Sequence, residues 1–130
     1  MNKEVKEDIL SVLKESLDAI NSGDTNLLKE SSNKIVHTTT IYQSEEPILV
    51  SIVIYTLSKI YERSDYHQYK DWNYIDSIIK ENLLEAYTRL GKNDYEGFVA
   101  SLKNLMKKLV AREGKLKHYI QQIIDKTKIT

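Results

Sequence analysis

Over residues 2–22 the apolar positions Val5, Ile9, Leu13, Leu17 and Ile20 recur at three- and four-residue spacing, which places them on one stripe of a helix. Asn21-Ser22-Gly23 ends that pattern, with glycine supplying the left-handed stop. Asp24 then reads as the cap of a second helix, whose inner stripe is predicted to be Leu28, Ser31, Ile35, Val36 and Thr39. Residues 43–46 form a loop; Ser44 is placed to cap a third helix, and Pro47 falls in its first turn, where a missing N–H does no harm. The run ILVSIVIYTL that follows is apolar in every direction. Its β-branched content allows a buried strand. The same segment continues as SKIYER, with Ile60 and Tyr61 one turn beyond Leu57 and no breaker, so the pattern favours a helix. A helix apolar all round is expected at the centre of the fold or at an oligomer interface, with Ile52, Val53 and Leu57 enclosed.

Residues 64–70, SDYHQYK, read as a linker with room for a short helical turn. Asp71 or Trp72 opens a fourth helix with Ile75, Ile79, Leu83, Ala86, Tyr87 and Leu90 inward, ending at Gly91. Asn93 or Asp94 caps a fifth, with Phe98, Leu102, Leu105, Met106 and Leu109 inward. Gly114 interrupts before a last amphipathic segment carrying Leu116, Tyr119, Ile120, Ile123 and Ile124, expected to pack back onto the others. Shifting the chain by 70 residues lays Val5 on Ile75, Ile9 on Ile79, Leu13 on Leu83, Leu17 on Tyr87 and Ile20 on Leu90. Across the turn Asp24 falls on Asp94, Leu28 on Phe98, Ile35 on Leu105 and Val36 on Met106. An inward stripe and a turn reused at a fixed offset point to an internal repeat. The expected architecture is an all-α, single-domain bundle of five to six helices, in which two similar hairpins flank the apolar third helix.

Composition agrees with that reading and removes some chemistry. Gly occurs four times and Pro once, too few punctuators for a turn-rich β fold. With 41% hydrophobic and 29% charged residues the balance is globular. The chain has no Cys, which excludes disulfides, thiol catalysis and cysteine zinc sites. The opening MNKEVKEDIL lacks a signal peptide's apolar stretch, and the apolar run at 48–57 is half the roughly 20 residues of a membrane span, so a cytoplasmic location without membrane insertion is expected. Net charge is zero, but residues 1–65 carry 7 basic and 11 acidic side chains while residues 66–130 carry 12 and 8. The excess is concentrated in Lys103, Lys107, Lys108, Arg112, Lys115 and Lys117, a basic patch suited to an anionic partner such as RNA, or simply a solvated face.

No phosphate-binding loop, dinucleotide fingerprint, HExxH or GxSxG occurs. His67 with Asp71, and Glu81 with Glu85, stand four apart, but pairs of this kind arise by chance on any acidic helical surface; no metal and no cofactor are expected. His37, ahead of three threonines that form helix poorly, reads either as an acid–base group at a pocket mouth or as a structural histidine. Tyr61, Tyr66, His67, Tyr69, Trp72 and Tyr74 crowd into fourteen residues, as a partner surface or as a cover over the end of the third helix.

Arg112 and His118, followed by Tyr119, form an R-x5-H spacing that resembles the HEPN ribonuclease family of helical domains. That resemblance implies an RNA-cleaving pair at a dimer interface. Glu113 stands where the family favours Asn, Asp or His, and Gly114 interrupts the helix inside the motif. Residues six apart on an unbroken helix diverge by about 120°, so the two side chains are not expected to converge. The stretch from His37 through Trp72, with Ile41-Tyr42-Gln43, the run from Ile54 to Ile60 and Tyr69-Lys70-Asp71-Trp72, resembles small helical proteins of unknown function, mainly archaeal. This second resemblance implies the same fold and no activity, and some of those relatives continue beyond the position of Thr130. From the residues themselves the expected function is a non-catalytic helical interaction or regulatory module, with a protein partner or self-association. The alternative is an RNA-directed protein, either a HEPN-type ribonuclease or a binder using the basic C-terminal region.

Overall fold

The computed structural model describes residues 1–63 and 66–111, and beyond them His118, Gln121, Gln122 and Asp125. The described residues form five α-helices and no strand: α1 (Lys3–Ser22), α2 (Thr25–Ile41), α3 (Glu45–Glu62), α4 (Trp72–Gly91) and α5 (Tyr95–Val110), with one 3-10 turn at Tyr66–Gln68. The expected final helix, with Leu116, Tyr119, Ile120, Ile123 and Ile124, lies outside the described residues, as does Gly114. None of the described helices is long and apolar enough to cross a membrane.

Each helix packs chiefly on its sequence neighbour or on α1. The closest pairings are α1 with α2, α2 with α3, α4 with α5, and α1 with α4; α3 meets α1 and α5 more lightly. Polar rungs tie α1 to α2 along their length. Lys34 Nζ donates to Ser11 Oγ at 2.7 Å, Thr38 Oγ1 to Asp8 Oδ2 at 3.2 Å, and Tyr42 Oη to Glu4. The Asp8 and Glu4 contacts supply the tertiary hold that the three threonines require. The charged acceptor on Glu4 holds the Tyr42 phenol above its usual pKa.

The two turns that follow α1 and α4 match in detail. Gly23 (φ 71°) and Asn93 (φ 62°) both sit in the left-handed region. The next residue is an aspartate in each, with nearly the same backbone angles, φ −89° and ψ 89° at Asp24, φ −86° and ψ 80° at Asp94. Its N–H reaches the carbonyl five residues back at 2.9 Å in each case, Ala19 and Arg89. Its carboxylate accepts from the backbone three residues on at 3.0 Å, Leu27 N–H and Gly97 N–H. The expected second stop is Gly91. Gly91 lies inside the last turn of α4, and Asn93, whose side chain tolerates the left-handed conformation, does the work of Gly23.

Burial follows the offset of 70 as well. Both members are buried in the pairs Val5–Ile75, Ile9–Ile79, Val12–Asn82, Leu13–Leu83, Ser16–Ala86, Ile20–Leu90, Leu28–Phe98, Ser31–Ser101, Ser32–Leu102 and Ile35–Leu105. Four of the expected inward positions that fail do so in pairs, whereas Thr39 is half-buried although its partner Leu109 is fully buried. Leu17 and Tyr87 are half-buried, Val36 is 45% exposed, and Met106 is half-buried. The true inward face is rotated toward small and polar residues. Ser101 Oγ donates to Gly97 O of its own helix at 2.8 Å, and Ser31 Oγ donates to Glu15 of α1.

α3 departs from the sequence expectation. Val53 and Leu57 are fully enclosed, together with Val50, Ile54 and Ile60, but Ile52 is only half-buried and Ile48 is 43% exposed. The helix packs chiefly on α2 and only lightly on α1 and α5, which leaves an apolar edge with Ile48 exposed. Ser44 occupies the N-cap position without a side-chain cap bond; Glu45 and Glu46 in the first turn favour the positive helix end instead.

Candidate functional site

The aromatic cluster divides into structural and exposed members. Tyr61 and Trp72 are buried, with ring centroids 5.3 Å apart at 76°, an edge-to-face pair. Tyr61 Oη also donates to Asp76 Oδ1 at 2.7 Å, and Asp76 pairs with Lys80 at 2.8 Å, so this phenol fastens the end of α3 to α4. Tyr69 is half-buried, 6.5 Å from the Trp72 ring, with the Arg63 guanidinium 6.0 Å from its centroid. Tyr66 opens the 3-10 turn. His67 and Tyr74 are exposed, and with Tyr69, Asp71, Trp72 and Asn73 they line an open hollow of about 490 Å³. Asp71 takes φ 61°, where a short polar side chain turns the chain into α4; Trp72 N–H closes the turn on Tyr69 O at 3.1 Å. Much of the cluster therefore covers a helix end.

The basic residues on α5, Lys103, Lys107 and Lys108, are exposed on one face; Arg112, Lys115 and Lys117 lie outside the described residues. His118, Gln122 and Asp125 are exposed. His37 is exposed on α2, and its carbonyl accepts from Thr40 Oγ1 at 2.7 Å. No group of three or more His, Asp or Glu side chains gathers among the described residues; Glu85 is held by Arg89, and Glu81 accepts from Ser77 Oγ at 3.2 Å.

A hollow with an apolar floor lies elsewhere, between the antiparallel α1 and α4, and no motif in the sequence pointed to it. It encloses about 470 Å³ and is lined by Leu17, Leu84 and Tyr87 with a rim of Lys14, Asp18, Asn21, Lys80 and Glu81. Leu84 is 56% exposed, and Leu17 and Tyr87 are the half-buried positions at equivalent places in the 70-residue offset. An apolar centre framed by a charged rim is the layout of a protein-binding patch. The signal in the sequence was present but inverted: Leu17 and Tyr87 looked like core because apolar residues at helical spacing usually are. A second, smaller cleft of about 150 Å³ opens between α2 and α3, walled by Thr25, Asn26, Lys29, Ser32, Asn33, Tyr55, Ser58, Lys59 and Glu62.

No family model, no curated protein and no solved structure matches the chain.

Proposed function

We propose that this chain is a non-catalytic helical interaction module that associates with a second copy of itself through the groove between α1 and α4. The observation that carries this reading is Leu84, a large aliphatic side chain 56% exposed beside the half-buried Leu17 and Tyr87 on the groove floor. Leu84, Leu17 and Tyr87 together form an apolar patch with a polar rim, the kind of surface that marks an interaction site where a lone exposed leucine would not. The rim supports a like partner, since Lys14 and Lys80 stand with Asp18 and Glu81. A two-fold contact sets a patch against its own copy, and a charge-balanced rim is self-complementary where a single-sign rim would repel. Zero net charge leaves no long-range repulsion between copies. The groove also lies where α1 meets its 70-residue equivalent α4. We infer that α1–α2 and α4–α5 are one hairpin used twice, with α3 packed beside them and the C-terminal segment as a sixth helix.

The test is association across ionic strength. Sedimentation velocity is expected to show a dimer whose population is unchanged between low and high salt, as burial of apolar surface predicts. Salt-sensitive binding to single-stranded RNA, with no self-association, would instead favour the RNA-directed reading, which the exposed Lys103, Lys107 and Lys108 support.

A further inference from the structure

The 70-residue offset does not end with the second hairpin. Carried past α5, it lays the buried Val50, Val53 and Ile54 of α3 on Ile120, Ile123 and Ile124, and the half-buried Leu49 on Tyr119. The outward edge of α3 aligns as well. Ile48, Ile52 and Tyr55, exposed or half-buried, fall on His118, Gln122 and Asp125, which are all exposed, and the half-buried Ser51 falls on Gln121, half-buried too. Positions enclosed in α3 are therefore apolar in the later segment, and positions at its outward edge are polar there. The likeness ends after Asp125, where the buried Thr56 and Leu57 fall on Lys126 and Thr127. A matching surface exists on α5. Lys29 and Asn33 of α2 share a cleft with Tyr55 and Lys59 of α3, and Val36 and Thr40 continue their stripe along α2. Seventy residues on, that stripe reads Val99, Lys103, Met106 and Val110, and its three apolar members are half-buried beside the enclosed Leu102, Leu105 and Leu109. Apolar side chains on two adjacent faces suit a helix with neighbours on both.

We propose that residues 115–125 dock along this face of α5 as α3 docks along α2, so that the chain is a three-helix unit used twice. The proposal rests on the repeated hairpin inferred above and adds its third member. Tyr119, Ile120 and Ile123 then lie against Met106 and Val110, while His118, Gln122 and Asp125 stay outside. Charge favours the same register. Asn33 and Tyr55 line one cleft, and their equivalents are Lys103 and Asp125, so opposite charges stand level across the docked pair. The α1–α4 groove is lined by residues of α1 and α4 alone, so self-association there does not depend on this docking.

The chain has no cysteine, so pairs of them can be introduced without background. Lys103→Cys with Asp125→Cys tests the register, because both positions are exposed and their replacement leaves the core alone. Lys103→Cys with His118→Cys is the control, since His118 lies about 10 Å further along a helix rising 1.5 Å per residue. Each full-length double variant is treated with a short bismaleimide at low protein concentration, and the intramolecular product is measured by peptide mass spectrometry. The 103–125 pair is expected to cross-link about tenfold faster than the control, or more. Equal rates, a faster control, or no cross-link within the chain for either pair would overturn the proposal. A second measurement needs no cysteine. Ile123→Asp should lower Tm by about 5 °C or more, whereas Gln122→Asp on the outer edge should change it by about 1 °C or less; equal effects would also overturn it. If residues 75–110 superpose on 5–40 in a solution structure, these failures remove the docking alone. If they do not superpose, the repeat falls with it.

Discussion

Ser16 offers a substitution whose sign runs against the usual rule that core changes destabilise. It lies wholly buried on the inner face of α1, and its hydroxyl has no hydrogen-bond partner. Leaving a buried hydroxyl unsatisfied costs about 1–3 kcal/mol. Alanine at the site removes that cost and improves helix propensity by about 0.5 kcal/mol. Against this stands a space about the size of one oxygen atom, which forfeits a few dispersion contacts of about 0.1–0.2 kcal/mol each. The position 70 residues on is already an alanine, the fully buried Ala86 in the matching place on α4, so the backbone geometry there accepts a methyl group. Ser16→Ala is thus expected to raise stability by about 1 kcal/mol, or about 3–5 °C in Tm for a domain of this length. Urea melts monitored by circular dichroism, with the slope unchanged, measure it directly. A loss of stability of about half a kcal/mol or more would refute the reasoning, since it would mean that Ser16 makes a bond worth more than the burial of its hydroxyl.

The two faces of α3 should separate cleanly. Leu57→Ala, at a fully enclosed position, is expected to cost about 2–5 kcal/mol, whereas Ile48→Ala, 43% exposed, should cost under about 1 kcal/mol; equal losses in urea melts would show that α3 is enclosed on both sides. Asp94 is held below the ordinary carboxylate pKa of 3.8, first by the Gly97 N–H and then by Arg89. A depressed folded pKa means its contribution is complete above that ordinary value and is lost as pH falls through the lower folded one. Acid melts of Asp94→Asn should therefore lose less stability than the parent chain over that range, and parallel curves would contradict the assignment. Gly97→Ala, normally stabilising inside a helix, should destabilise here. The added methyl would collide with the Asp94 carboxylate and the Arg89 side chain, and a raised Tm would show that both move aside freely.

The helices were legible because apolar residues at three- and four-residue spacing leave few alternatives, and the caps because Gly23-Asp24 and Asn93-Asp94 have local chemistry that acts whatever surrounds them. The faces were less legible. Periodicity marks apolar residues, and here the inward face is partly Ser16, Ser31, Ser32, Asn82 and Ser101, while Leu17, Val36, Tyr87 and Met106 sit at its margin. Small side chains mark where two backbones come close, which depends on tertiary pairing and not on the strand of sequence that carries them. The enclosure of Ile52 failed for a related reason, since an all-apolar helix says nothing about how many neighbours are available to cover it. The aromatic crowding at 61–74 mixed two roles that only contacts separate: Tyr61 and Trp72 close the end of α3, and His67 and Tyr74 face out. The α1–α4 groove was invisible because it needs the pairing of helices about 60 residues apart in sequence.

The claim that the α1–α4 groove is an interface is tested most directly by sedimentation equilibrium of the parent chain and of Leu84→Lys. Leu84 is 56% exposed, so lysine at that position keeps its stem on the groove and its charge in water, and the helix should remain folded. The parent chain is expected to be a dimer at micromolar concentration and the variant a monomer with an unchanged circular dichroism spectrum. A parent chain that stays monomeric at every concentration, or a variant that dimerises as strongly as the parent, would contradict the account.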